Sequence, residues 1–84
     1  MNSDITAPQI RAARALVGWS QEELAAAARI SARTLVRLET DAAPGRALTL
    51  ARIRAVLETA GVYFIADDGS GPGVRLRKGQ ADRA

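Results

Sequence analysis

The chain contains no cysteine and no histidine, and its aromatic residues are only Trp19, Tyr63 and Phe64. Without Cys there is no disulfide framework and no thiol nucleophile; without His as well there is no zinc site of the usual ligand types and no imidazole base. Most small enzymes and zinc modules are excluded on these grounds, and no catalysis, cofactor or metal is expected. No apolar run reaches the roughly 18 residues of a membrane span. The start, Met1-Asn2-Ser3-Asp4, lacks the basic-then-apolar order of a signal peptide. A cytoplasmic location with no membrane partner is expected. Lysine is nearly missing too: of the 12 basic residues only Lys78 is not arginine.

The net charge of +3 is too small to name a partner. Arginine is preferred where planar, bidentate contact with phosphate or guanine matters. A coding sequence rich in G and C explains the same bias, and the 18 alanines fit that reading equally well. The positions of the arginines have to decide. With 84 residues the chain makes one small domain, which buries about 60% of its surface on folding and often gains from self-association.

Periodic order begins at Thr6, residues 1–5 carrying no pattern and reading as a flexible N-terminus. Thr6-Ala7-Pro8-Gln9 reads as a helix start, with Thr6 as N-cap, Gln9 completing a capping box and Pro8 tolerated in the first turn. Ile10, Ala13, Leu16 and Val17 share one face, and Gly18 is the stop. Ser20 caps a second helix with Glu23 three residues later, and Trp19 and Leu24 stand at the two staple positions. Arg29-Ile30-Ser31 is a tight turn; Ser31 caps a third helix over about Ala32–Glu39, stapled by Ile30 and Leu35. Residues 40–47, with Pro44-Gly45 among them, read as a loop. Leu48-Thr49 opens a fourth helix with Leu50, Ile53, Val56, Leu57 and Ala60 on its apolar face, Leu48 and Ile53 as staple and Gly61 as stop.

The remainder changes character. Residues 62–66 are β-branched and aromatic, residues 67–73 are turn-rich, and Val74-Arg75-Leu76-Arg77 alternates, so residues 62–78 read as a β-hairpin with a flexible tail at 79–84. A lone hairpin is marginal in water and must pack on the helices or meet a second copy. Its first strand is apolar on both faces, Val62 and Phe64 on one, Tyr63 and Ile65 on the other; these four are dimerisation candidates. The Gly69-Ser70-Gly71-Pro72-Gly73 stretch has no lysine at P-loop spacing and reads as the hairpin turn, and Asp67-Asp68 as turn residues, not metal ligands.

Two helices of about eight residues joined by a tight turn and flanked by two more form a helix-turn-helix arrangement. Ser20-Gln21-Glu22-Glu23-Leu24-Ala25, Ile30-Ser31, Thr34-Leu35 and Arg37-Leu38-Glu39 resemble the lambda-repressor/Cro-type (XRE) helix-turn-helix family in register, over residues 8–60. The fold implied is mainly α: a four-helix DNA-binding domain over residues 6–61, its helix-turn-helix at 20–39, followed by the hairpin. Small Ala25 suits the helix crossing, while Leu24, Ile30, Leu35 and Leu38 are spaced to fill the core. The resemblance implies an ion pair of Arg14 with Glu39, joining the first helix to the end of the third. It further implies base readout by Ala32, Arg33, Val36 and Arg37 in the major groove, with Gln21 against phosphate. Independently of family, Arg33 and Arg37 share a face opposite the Leu35 and Leu38 stripe. Arg46, Thr40 and Arg29 are further phosphate candidates. Arg29 departs from the family, where the turn has a left-handed glycine, so either the turn is reshaped or Arg29 takes a costly conformation. Arg52 and Arg54 read as a solvated face, and Arg75, Arg77 and Lys78 either reach the flanks of a duplex or, the favoured reading, blunt a strand edge. The expected partners are double-stranded DNA with an inverted repeat and a second copy of the chain. The expected role is a dimeric repressor in a bacterial or phage setting, the alternative being an antitoxin or protein-interaction module with a protein partner.

Overall fold

The computed structural model describes residues 5–40 and 45–77. The first three helices start where their serine or threonine caps require. Thr6 Oγ1 accepts from the Gln9 backbone N–H at 3.3 Å while Gln9 Oε1 accepts from the Thr6 N–H at 2.9 Å, which opens α1 (Ala7–Val17). Ser20 and Glu23 close the same reciprocal pair at 3.0 and 2.8 Å at the head of α2 (Gln21–Ala28). Ser31 Oγ accepts from the Thr34 N–H at 3.0 Å at the head of α3 (Ala32–Glu39). Each side-chain cap satisfies a backbone donor that the helix leaves without a partner. Gly18 ends α1 at φ 75°, in the left-handed region that a side chain disfavours.

Then come α4 (Ala47–Thr59), β1 (Val62–Ile65) and β2 (Gly73–Leu76), the strands pairing antiparallel with Val62 opposite Leu76 and Ile65 opposite Gly73. The four helices and the hairpin close around one core in which Ile10, Leu24, Leu35, Ile53, Leu57 and Val62 are fully buried. Trp19 and Ile30 pack against this core, as staple residues should.

Four boundaries and faces differ from the sequence expectation. Ile5 is buried at 6% exposure and belongs to the core. It precedes the Thr6 cap and lies five residues before Ile10, the spacing of a hydrophobic staple, so ordered chain begins ahead of the expected boundary at residue 6. The expected flexible segments otherwise lie outside the described residues. Leu16 stands 41% exposed, and at this end of α1 it is Val17 that packs against the core. The fourth helix begins at Ala47 with Arg46 as N-cap, and Leu48 is 67% exposed. Gly45 holds the place before that cap: a Cβ there would lie 2.9 Å from Leu50 and 3.0 Å from Leu38. The staple expected of Leu48 is thus replaced by bare backbone seated on Leu50.

The hairpin faces inward with Val62 and Phe64, which are 0% and 5% exposed, and outward with Tyr63, which is 50% exposed. Val62 and Phe64 are therefore core residues and not dimerisation residues. Asp67 Oδ1 accepts from the N–H groups of Gly69 and Gly71, and Asp68 Oδ1 from that of Ser70, the side-chain turn chemistry expected of these aspartates. At the other end, the Arg77 N–H donates to the Gly61 carbonyl at 2.7 Å.

Gln9 fastens the hairpin to α1. Its Oε1 serves the Thr6 cap while its Nε2 donates to the carbonyls of Ile65 at 3.2 Å and Gly73 at 2.9 Å, in a residue only 6% exposed. Glutamate would cap α1 equally well, but it has no donor for those two carbonyls and would set a buried carboxylate against them. Gln9→Glu is expected to lower stability by about 2 kcal/mol near neutral pH. Urea denaturation checks this; a variant as stable as the parent would show that the amide does not hold the hairpin.

Candidate nucleic-acid interface

The turn between α2 and α3 is built by backbone bonds. The Arg29 N–H donates to the Ala26 carbonyl at 3.2 Å and the Ile30 N–H to the Ala25 carbonyl at 3.0 Å, the paired closure that ends a helix through a left-handed residue. Arg29 supplies that residue at φ 60°, ψ 45°. The turn is therefore not reshaped: arginine adopts the conformation that glycine adopts more cheaply, at a cost of about 1–2 kcal/mol. Ala25, 3% exposed, sits on the core side of α2, where its small side chain permits close approach of the neighbouring helices.

This turn sets α3 with Leu35, Leu38 and Glu39 buried and Ala32, Arg33, Val36 and Arg37 exposed. Val36 is 39% exposed, a β-branched side chain left in water between two arginines. Among the described residues neither Arg33 nor Arg37 forms a salt bridge. The four expected readout residues are thus on one surface, opposite the core stripe.

Glu39, at the end of α3, joins three helices. Arg14 of α1 donates to it twice, Nε to Oε2 at 2.7 Å and Nη2 to Oε1 at 3.0 Å. Gln21, the first residue of α2, donates from Nε2 to Oε1 at 2.9 Å. Arg14 Nη1 also reaches the Trp19 carbonyl at 3.0 Å, and Arg11 Nη1 donates to the Glu39 backbone carbonyl. The Glu39 side chain is 2% exposed and that of Arg14 21%. Burial pushes the Glu39 carboxyl up, but the hydrogen bonds from Arg14 and Gln21 and the charges of Arg14 and Arg11 outweigh it and hold the pKa below the ordinary glutamate value. The hydrogen bond to Glu39 raises the Arg14 pKa against the opposing effect of burial, with the charges of Glu39 and Glu22 adding to the rise.

The expected phosphate contacts are distributed less evenly. Gln21 is half-buried, with one amide hydrogen committed to Glu39 and the Glu23 N–H taken by the Ser20 cap; the second amide hydrogen of Gln21 and the backbone N–H groups of Gln21 and Glu22 remain for an anion. Arg29 and Arg46 are exposed, and Arg46 makes no side-chain cap bond to α4. The Thr40 hydroxyl turns back on its own helix, bonding the carbonyls of Val36 at 2.9 Å and Arg37 at 3.2 Å, so its hydrogen is already engaged. Tyr63 and Ile65 are on the outer side of the hairpin, where the Arg75 guanidinium lies 5.7 Å from the Tyr63 ring centre. Arg54 is not a plain solvated residue: it pairs with Glu58 at 3.0 Å and lies 5.6 Å from the Phe64 ring centre.

Sequence reasoning missed Arg11 and the second role of Gln21. The signal for Arg11 was its place three residues before Arg14, on the same helical face. A cation there suits the carbonyl end of a helix, which carries partial negative charge.

A tight helix-turn-helix whose second helix projects arginines on one face and is anchored through a buried carboxylate on the other defines a DNA-binding domain. A family model described as helix-turn-helix matches residues 10–64, and the chain belongs to the lambda-repressor/Cro-type (XRE) helix-turn-helix family. No curated protein matches the chain. It is a DNA-binding regulator of the XRE type, from a family that is typically non-enzymatic. Among the described residues no helix is long and apolar enough to cross a membrane.

Proposed function

We propose that the protein is a dimeric, sequence-specific transcriptional repressor that occupies an inverted-repeat operator and blocks polymerase, acting in the cytoplasm of a bacterial or phage system. The observation that carries this reading is the exposed pair Arg33 and Arg37 flanking Val36 on the face of α3 opposite its buried leucines. A guanidinium matches the O6 and N7 acceptors of guanine, and Val36 or Ala32 suits a thymine methyl. Gln21, Arg29 and Arg46 supply phosphate contacts that set register without reading sequence. A dimer places half-site centres about 34 Å apart, one turn of DNA. The outer hairpin face, Tyr63 with Ile65, is the surface through which two copies meet.

Mobility shift of the DNA upstream of the protein's own gene tests the reading. An inverted repeat there is expected to be retained in preference to a scrambled duplex, with affinity falling steeply as salt rises. Equal affinity for both duplexes at every salt concentration overturns sequence-specific regulation. Light scattering at tens of micromolar without DNA is expected to give a dimer; a monomer removes the hairpin interface. The half-exposed Tyr63 also favours a second reading, an antitoxin or interaction module that uses this face for another protein. A stoichiometric toxin-like partner that co-purifies, with no upstream DNA bound, decides for it.

A further inference from the structure

The outward side of the hairpin changes chemistry along its length. Strand alternation and the pairing register set it out in rungs about 7 Å apart. Arg77 stands at the root; Tyr63 with Arg75 forms the next rung, Ile65 with Gly73 the third, and the loop holding Asp67 and Asp68 is the tip. Tyr63 is 50% exposed and carries the Arg75 guanidinium 5.7 Å from its ring centre, whereas Gly73 has no side chain and a Cβ there would meet Ile65 at 3.8 Å. A bulky rung thus lies beside a bare one. Charge is graded along the same line: residues 66–74 hold two acidic residues and no base, residues 75–78 three bases and no acid. Each tip carboxylate accepts turn N–H groups at Oδ1, and among the described residues neither these aspartates nor Arg75 and Arg77 form a salt bridge.

We propose that this strip is complementary to itself, and that two copies stack their hairpins antiparallel about a two-fold axis, the acidic tip of each against the basic root of the other. This deepens the dimer reading above and rests on it. In a two-fold contact each patch meets its own reverse. Turned end for end, the strip sets Tyr63 of one copy over the bare Gly73 of the other and brings Arg77 to the opposite Asp67 and Asp68. Arg75 stacks on its own ring and still presents donors at its edge. A parallel stack would set tip against tip and root against root, like charges facing at both ends. The acidic tip also disfavours a duplex on this face, because it meets phosphate with charge of the same sign.

Sedimentation of the full chain without DNA tests the arrangement. The parent dimer is expected to weaken about ten-fold from low to high salt, as exposed ion pairs are screened. Asp67→Asn with Asp68→Asn keeps the side-chain acceptors of the turn and removes its charge; a similar loss is expected at low salt. Gly73→Val should melt like the parent, its Cβ in ordinary contact with Ile65, yet dimerise several-fold more weakly. Arg75→Glu with Arg77→Glu, and separately Asp67→Asn with Asp68→Lys, are each expected to be monomeric, and their equimolar mixture to dimerise. A parent dimer indifferent to salt and to the asparagine changes overturns the proposal, as does one that salt strengthens, the mark of a parallel stack. A parent that is monomeric at low salt, or a dimer that survives Tyr63→Glu, removes the hairpin interface itself, the proposal with it, and leaves the face to another protein.

Discussion

Replacing Arg33 and Arg37 together by alanine is expected to erase the preference for operator over random DNA while leaving the melting midpoint in place. Both side chains are exposed on α3 and sit one helical turn apart, so neither contributes packing that the fold would miss. A good bidentate contact to guanine is worth about 1–3 kcal/mol of discrimination, so the pair together accounts for about 2–6 kcal/mol, enough to bring specific binding down towards the electrostatic background. Gln21→Ala should behave differently, weakening specific and random duplexes alike, and lowering the melting midpoint slightly because its amide also bonds Glu39. Footprints of the double arginine variant that match the parent's would remove the readout assignment.

Glu39→Ala is expected to cost about 3 kcal/mol of stability. The carboxylate is 2% exposed and accepts from Arg14 and Gln21. Its removal leaves a guanidinium without its partner in a place where water reaches it poorly. Urea denaturation of Arg14→Ala, Glu39→Ala and the double variant measures the coupling; strictly additive losses would contradict the pair. Acid should reveal the same group. Its folded-state pKa lies below the ordinary glutamate value, so the unfolded chain takes up the proton first as pH falls. The contribution is complete above the unfolded pKa and is lost as pH drops through the folded one. Glu39→Gln should therefore show a shallower loss of stability in acid than the parent, and an unchanged acid slope would show that Glu39 does not titrate from a paired state.

The elements that the sequence displayed plainly were those written in short range. Thr6 with Gln9, Ser20 with Glu23 and Ser31 with Thr34 form caps within three residues of each other, and each opens its helix as read. The Arg14–Glu39 pair spans 25 residues and was legible only through family resemblance, since two charges on apolar faces do not name each other. Gln9 was legible as a cap and illegible as the hairpin's anchor, because its partners Ile65 and Gly73 lie 56 and 64 residues away and are backbone carbonyls that any residue type supplies. Leu16 and Leu48 failed for another reason: helical periodicity assigns a face, but the neighbouring elements decide how far along the helix that face is covered. Arg29 could not be resolved at all from type alone, because only the closure onto Ala25 and Ala26 forces the left-handed backbone.

The carboxylate at the junction of α1, α2 and α3 has a consequence for the thermodynamics of binding. One end of α3 is fixed by the turn at Arg29 and the other by Arg11 and Arg14 gripping Glu39 through its main chain and side chain. If α3 reads DNA as proposed, it meets the duplex preorganised. Little backbone entropy is left to lose on association, and the ordering cost falls chiefly on the long side chains of the exposed arginines, at about 0.5–1.5 kcal/mol for each one immobilised. Changes that loosen the Glu39 junction should then appear as weaker DNA binding even where the reading residues are untouched, with the deficit growing as temperature approaches the melting transition.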